Sequence, residues 1–279
     1  MKKIDTLFLS GGGINSFALF GSFKYLIEND IVEKDFKNIK NIVCVSGSAF
    51  FILPLLLGYS LDILTKLALE YKTDKLIDYD LFDINGLLID YGVYQNNFFE
   101  DLFGILLKKK NLSAEITMKE LYDYTNINYV LKTTNLSKYK IEYINHITTP
   151  DIPVLTAIKM TSCIPFIFKP ILYNGDYYVD GGVCGNYPIE YNKKIKSKNY
   201  FGIHIKSIHK NEKIENILDF FLRITMAPVS PYDDIHKKKK DCLLLQFRNY
   251  SFQMNLEKKN IVEKIAYSYQ KTEEYFKNP

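Results

Sequence analysis

Residues 5–20 read DTLFLSGGGINSFALF, and residues 42–58 read IVCVSGSAFFILPLLLG. In the first stretch, the short run Asp5 to Leu9 is cut off by Ser10, Gly11, Gly12 and Gly13, after which Phe17, Leu19, Phe20, Phe23, Leu26 and Ile27 recur at helical spacing. That is a strand, a glycine turn and a helix. The second stretch repeats the plan. Ile42 to Val45 has the length and apolarity of a buried strand, Ser46 to Ser48 are small turn residues, and Ala49 to Leu57 is an apolar helix stopped by Gly58. Two strand-turn-helix units in succession predict an α/β fold, a three-layer sandwich with a mainly parallel central sheet.

Further along, Leu61 to Glu70 and Asn97 to Lys110 have helical period, and Thr117 with Glu120 forms a capping box for a short helix ending at Tyr124. Asp80 to Tyr94 reads as a long loop or cap over the sheet. Tyr129 to Thr134 and Ile141 to Asn145 alternate as strands do, and Pro153 to Ser162 is predicted to be a helix. Ile171 to Tyr173, the turn Asn174-Gly175, and Asp176 to Val179 form a hairpin that delivers Asp180 at a strand end. Tyr200 to Ile205 and Cys242 to Phe247 are predicted strands, Ile214 to Met226 and Lys258 to Phe276 helices. No linker divides the chain, so residues 1–210 are expected to form the main domain and residues 211–279 to add a strand and helices to the same core.

Composition narrows the function classes. The 279 residues are 47% apolar and 24% charged, as in globular chains, which excludes wholesale disorder. The net charge is +4, but the only arginines are Arg223 and Arg248. Forked recognition of phosphates and guanine edges belongs to arginine, so a nucleic-acid partner is not expected. Cys44, Cys163, Cys184 and Cys242 show no metal-ligand spacing and read as reduced, small core residues. No signal-peptide pattern precedes Leu9, and the apolar run Ala49 to Tyr59 is about half of the roughly 20 residues needed to span a bilayer. A soluble, cytoplasmic chain is the expectation. The run Lys237 to Lys240 reads as a solvated loop, with a membrane-facing basic patch as the alternative.

Three features could carry chemistry. A serine directly between a buried strand and a helix has the geometry of a nucleophile elbow, which demands small residues two positions either side. Ser46 has Cys44 and Ser48 there, whereas its rival Ser48 has Ser46 and the bulky Phe50. The plainer alternative is that Ser46 caps the following helix. Gly11, Gly12 and Gly13 offer backbone amides to an anion at a helix start, or else form a tight turn with no ligand. They lack a phosphate-binding Gly-Lys-Ser/Thr ending, and the dinucleotide pattern is broken at Ser16. Asp180-Gly181-Gly182 places a carboxylate at a strand end, where it is either aimed at a neighbouring loop or simply forms a turn. The histidines, His146, His204, His209 and His236, complete no obvious triad, and His204 reads as core.

Taken together, these blocks resemble the patatin-like phospholipase family. The resemblance runs through Leu9 to Gly13 with Gly21, then Val43 to Ala49 reaching Gly58-Tyr59-Ser60, then Thr161 to Pro165 with Phe168 and Pro170, and Tyr178 to Gly182 with Tyr187-Pro188. It implies a phospholipase A-type lipid acyl hydrolase using a Ser46/Asp180 dyad, with the amides of Gly11, Gly12, Gly13 and Gly47 as oxyanion hole, and neither cofactor nor metal. The implied partner is a phospholipid or other acyl lipid met at a membrane surface, with Phe166, Ile167 and Phe168 as candidates for acyl-chain contact or, equally, ordinary core. The chain departs from the family pattern in two places. G-x-S-x-G reads here as C-x-S-x-S through Cys44 and Ser48, and the glycine loop continues with Asn15 and Ser16 rather than a basic residue and a glycine. A non-catalytic lipid-binding member is therefore one rival reading, and a nucleotide-binding α/β protein another.

Overall fold

The computed structural model describes residues 3–70, 84–94, 98–208, 213–214, 216–227, 242–248 and 257–277. In chain order its elements are β1 (Thr6–Leu9), α1 (Ala18–Glu28), β2 (Asn41–Val45), α2 (Gly47–Leu56), α3 (Leu61–Glu70), α4 (Ile84–Ile89), β3 (Gly92–Tyr94), α5 (Phe98–Lys109), α6 (Met118–Thr125), β4 (Asn128–Asn135), β5 (Lys140–Ile144), α7 (Val154–Ser162), β6 (Phe166–Phe168), β7 (Ile171–Tyr173), β8 (Asp176–Asp180), α8 (Asn192–Ile195), β9 (Tyr200–Ser207), α9 (Ile217–Met226), β10 (Cys242–Phe247) and α10 (Lys258–Lys277). The hairpin turns through Asn174 at φ 50° and Gly175 at φ 82°, the pair of positive angles its sequence anticipates. Thr117 and Glu120 close the expected capping box on α6.

The main sheet has the order β10-β9-β1-β2-β4-β8-β7, with β5 also paired to β4. From β10 to β4 all neighbours are parallel, and the pairings of β4 with β5 and β8 and of β7 with β8 are antiparallel. Side chains alternate between two buried faces. Leu7, Leu9, Ile42, Cys44, Tyr129, Leu131 and Ile203 join a large core with α1 and α2. Phe8, Val43 and Val130 turn the other way, under Tyr187, Ile189 and Tyr191. A sheet covered on both faces explains why its central strands read as continuous apolar runs.

The register decides where the site lies. Residues Leu131–Asn135 of β4 pair with β5, Asn128–Lys132 pair with β2, and Thr133–Asn135 pair with β8. Leu131 and Lys132 thus serve β5 and β2 at once, and Thr133 to Asn135 serve β5 and β8. It follows that β2 and β8 share the edge of β4 opposite β5. Because β2 runs parallel and β8 antiparallel to β4, their carboxyl ends meet head to head, Val45 beside Lys132 and Asp180 beside Thr133. On the other side of β2, Leu9 is in register with Cys44, so β1 ends at the same level.

Two expectations change. The span Asp80 to Tyr94 is not simply a loop: where described it contains α4 and β3, and β3 pairs in parallel with β6. Three-residue strands are too short to show a period. The cysteines are free but not all core, since Cys44 and Cys163 are buried, Cys242 is half-buried and Cys184 is exposed. Ile167 and Phe168 pack in a buried cluster with Cys163 and Ile164, while half-buried Phe166 stacks on Phe221 of α9 at 4.4 Å between ring centres. The run Lys237 to Lys240 lies outside the described residues. Among those residues, no helix is long and apolar enough to cross a membrane.

Candidate active site

Ser46 is the single residue between β2 and α2. Its backbone stands at φ 53° and ψ −129°, a sparsely populated conformation that persists only where neighbours hold it. Ser48 does much of the holding: its Oγ accepts from the Val45 amide at 3.0 Å and lies 2.8 Å from the Val45 carbonyl and 3.1 Å from that of Leu9. The Ser46 amide donates to Thr161 Oγ1 at 3.0 Å, and the Thr161 hydroxyl donates to the Lys132 carbonyl. Ser48 is fully buried and engaged with backbone, whereas Ser46 keeps 7% of its surface exposed. Burial pushes the Cys44 thiol up, so it stays protonated behind the turn.

The glycine turn lies against this elbow. A Cβ on Gly47 would come within 2.7 Å of the Gly13 carbonyl oxygen, and one on Gly11 within 3.0 Å of Ser46 Cβ. Only glycines let the two turns approach so closely. Ser16 Oγ fills the remaining gap, 2.8 Å from where that Gly47 Cβ would stand. The Gly11 amide donates to the Asn186 carbonyl over a long 3.4 Å, and Asn186 Nδ2 donates back to the Gly11 carbonyl at 2.9 Å. Gly13 and Gly47 open the helical turns that follow them, so their amides have no intrahelical acceptor.

Asp180 meets Ser46 where β8 meets β2. The Ser46 side chain is near enough to its carboxylate to act on it as a hydrogen-bonding neighbour, and the Gly182 amide donates to Oδ1 at 2.7 Å. Burial pushes the Asp180 carboxyl up to about 6, although the Ser46 side chain, the Gly182 amide and the nearby Lys132 ammonium oppose the rise. Lys132 is 1% exposed and donates to the Gly185 carbonyl at 2.6 Å and to Glu190 Oε1 at 2.7 Å. Its charge is therefore largely spent on Glu190.

The structure thus gathers Ser46, Asp180, Gly11 and Gly47, with Gly12 and Gly13 in the adjoining turn. The histidines stand apart: His204 is buried against Tyr187, His146 stacks on Tyr122, and His209 and His236 lie outside the described residues. No group of three His, Cys, Asp or Glu side chains among the described residues is placed to hold a metal ion. Sequence reasoning gave no role to Thr161, Asn186 or Lys132. Thr161 and Asn186 had a signal, since both stand in or beside the quoted motif blocks; the lysine is one among many in a Lys-rich chain.

The family model for patatin-like phospholipases matches residues 7–192. An uncharacterized protein, R571, of Acanthamoeba polyphaga mimivirus is 33% identical over 188 residues, 67% of this chain and 61% of that protein. The probable lipid hydrolase 463L of Invertebrate iridescent virus 6 is 28% identical over 235 residues, 77% of each chain. Among solved structures, VipD from Legionella pneumophila superposes with a TM-score of 0.69 at 13% identity, covering 99% of this chain and 67% of that one. ExoU from the type III secretion system of Pseudomonas aeruginosa gives 0.52 at 13% identity, covering 99% of this chain and 52% of that one. At such identities the two structures speak for the fold alone, and this chain spans about half the length of the ExoU chain.

Proposed function

The chain belongs to the patatin-like phospholipase family, and from that premise we propose that it cleaves fatty-acyl esters of phospholipids or related lipids through a Ser46/Asp180 dyad. The observation that carries the reading is the meeting of β2 and β8 on one edge of β4, which sets Ser46, on its strained turn, beside the buried carboxylate of Asp180. Ser46 Oγ attacks the acyl carbonyl and its proton passes to Asp180. The tetrahedral oxyanion is held by backbone amides. The leaving alcohol departs with the proton from Asp180, which then deprotonates the water that releases the fatty acid and restores Ser46. A carboxyl raised to about 6 is a better base than an ordinary aspartate and is still mostly ionised at neutral pH.

Gly12, Gly13 and Gly47 are the amides best suited to the oxyanion. Gly11 can contribute only by releasing its 3.4 Å bond to Asn186. Each such donor is typically worth about 3 kcal/mol in the transition state. The substrate is taken from a membrane surface, and β10 and α10 belong to the same catalytic unit as the residues before 210.

The test combines fluorophosphonate labelling with fatty-acid release from phosphatidylcholine vesicles. Wild type is expected to be labelled at Ser46, and Ser46→Ala and Asp180→Asn to lose about a thousandfold or more in turnover. An unlabelled wild type, or a Ser46→Ala variant that still releases fatty acid, would overturn the reading in favour of a lipid-binding or differently built protein.

A further inference from the structure

One buried cation has no part in the chemistry so far. Lys264 lies on α10, beyond the residues 7–192 that the family model matches, and is 5% exposed. Its ammonium donates to Asn15 Oδ1 at 2.7 Å and sits 4.7 Å from the centre of the Phe247 ring. The salt bridges that α10 makes among the described residues go to Lys259, Lys271 and Lys277, not to Lys264. A buried ammonium without a paired carboxylate is costly, and burial pushes its pKa down to about 8 against the pull of Glu263 on the same helix. It remains mostly protonated at neutral pH.

The recipient of that hydrogen bond is part of the glycine turn. Asn15 is fully buried, its amide donates to the Gly12 carbonyl at 2.9 Å, and its Nδ2 donates to Ser207 Oγ of β9 at 3.3 Å. Residues 4–23 contain no lysine or arginine, so the turn brings no cation of its own. The helix that supplies one is locked in place. A Cβ on Gly21 of α1 would fall 1.9 Å from the Ile265 carbonyl, so the backbones of α1 and α10 touch, and Thr272 Oγ1 donates to Ser22 Oγ at 3.0 Å.

We propose that Lys264 is the cationic positioning residue of the oxyanion hole: through Asn15 it fixes the turn that carries the Gly12 and Gly13 amides, and it adds positive charge behind them. It touches neither substrate nor the reacting atoms. The inference rests on the acyl-transfer reading above. It deepens that reading by assigning the missing charge to a distant helix.

The test uses the full chain, with Lys264→Gln to keep a hydrogen-bond donor without the charge, Lys264→Met to remove both, and Lys264→Arg to keep the charge. Each is followed by thermal unfolding, by kcat and KM on a short-chain p-nitrophenyl ester, and by the rate of fluorophosphonate labelling. Lys264→Gln and Lys264→Met are expected to lower kcat and labelling rate by about tenfold to a hundredfold with KM within about twofold, and Lys264→Arg to keep at least a third of kcat. Lys264→Gln or Lys264→Met folding with wild-type kcat would overturn the proposal. So would a loss that tracks falling melting temperature and is not rescued by arginine, which would mark a purely structural lysine. Wild type that is never labelled sinks the acyl-transfer reading and this one together, whereas labelled wild type with unaffected Lys264 variants sinks this one alone.

Discussion

Two turns meet at the carboxyl ends of β1 and β2, and they are held in opposite ways. The elbow at Ser46 is braced from within by Ser48 two residues on, whose Oγ also reaches the Leu9 carbonyl, and from further along the chain by Thr161. The glycine turn is braced from far along the chain, by Asn186, by Ser207 and by Lys264. The physical reason is the same in both places. A turn must satisfy its backbone and fix its angles. The elbow has hydroxyls of its own to do this. Three glycines have no side chains, so beyond the local bonds from Ser10 and Asn15 whatever holds them has to come from elsewhere.

The contrast can be broken first at the point of contact. Gly47→Ala puts a methyl 2.7 Å from a backbone oxygen that cannot yield, so the two turns must part. Turnover is expected to fall about a hundredfold, because a displacement near 1 Å is enough to cost that much. Full activity in a folded Gly47→Ala chain would mean that the turns do not act together.

Acid tests the elbow's base. Asp180 must be ionised to take the serine proton, so kcat/KM is expected to fall about tenfold per pH unit below about 6, and a flat profile from pH 5 to 8 would exclude Asp180 as the base. Stability carries the opposite sign. The folded chain holds this proton up to about 6, against 3.8 for an ordinary aspartate, so Asp180 favours folding in acid and that contribution is lost as pH rises through this window. The difference is worth about 3 kcal/mol and should be visible as a gap between the stability curves of wild type and Asp180→Asn.

The two braces should then fail differently. Asn186→Ala removes one of the two donors to the Gly11 carbonyl, leaving the Ser10 hydroxyl, and is expected to cost about tenfold in kcat for roughly 1 kcal/mol of stability, read by denaturant unfolding beside turnover. Ser48→Ala leaves the buried Val45 amide without its acceptor and is expected to cost about 1–3 kcal/mol while lowering kcat less than about fivefold. If Ser48→Ala abolished activity at unchanged stability, the elbow would not be the self-braced turn described here.

Much of this was legible beforehand. The strand-turn-helix units and the hairpin ending at Asp180 depend on residues close in sequence, where period and turn chemistry act directly. The pairing of β3 with β6 was not legible, because three-residue strands leave no pattern. Nor was the role of Lys264, which comes from a hydrogen bond spanning 249 positions. By itself, the sequence determined that two tight turns of small residues would stand at strand ends, since only such residues fit there. Tertiary structure alone decided that β2 and β8 share one edge of β4 and so bring hydroxyl and carboxylate together, and that a helix near the carboxyl terminus lends its charge to the first turn. Both depend on register and on helix packing, which are settled by the burial of whole faces and not by any local run of residues.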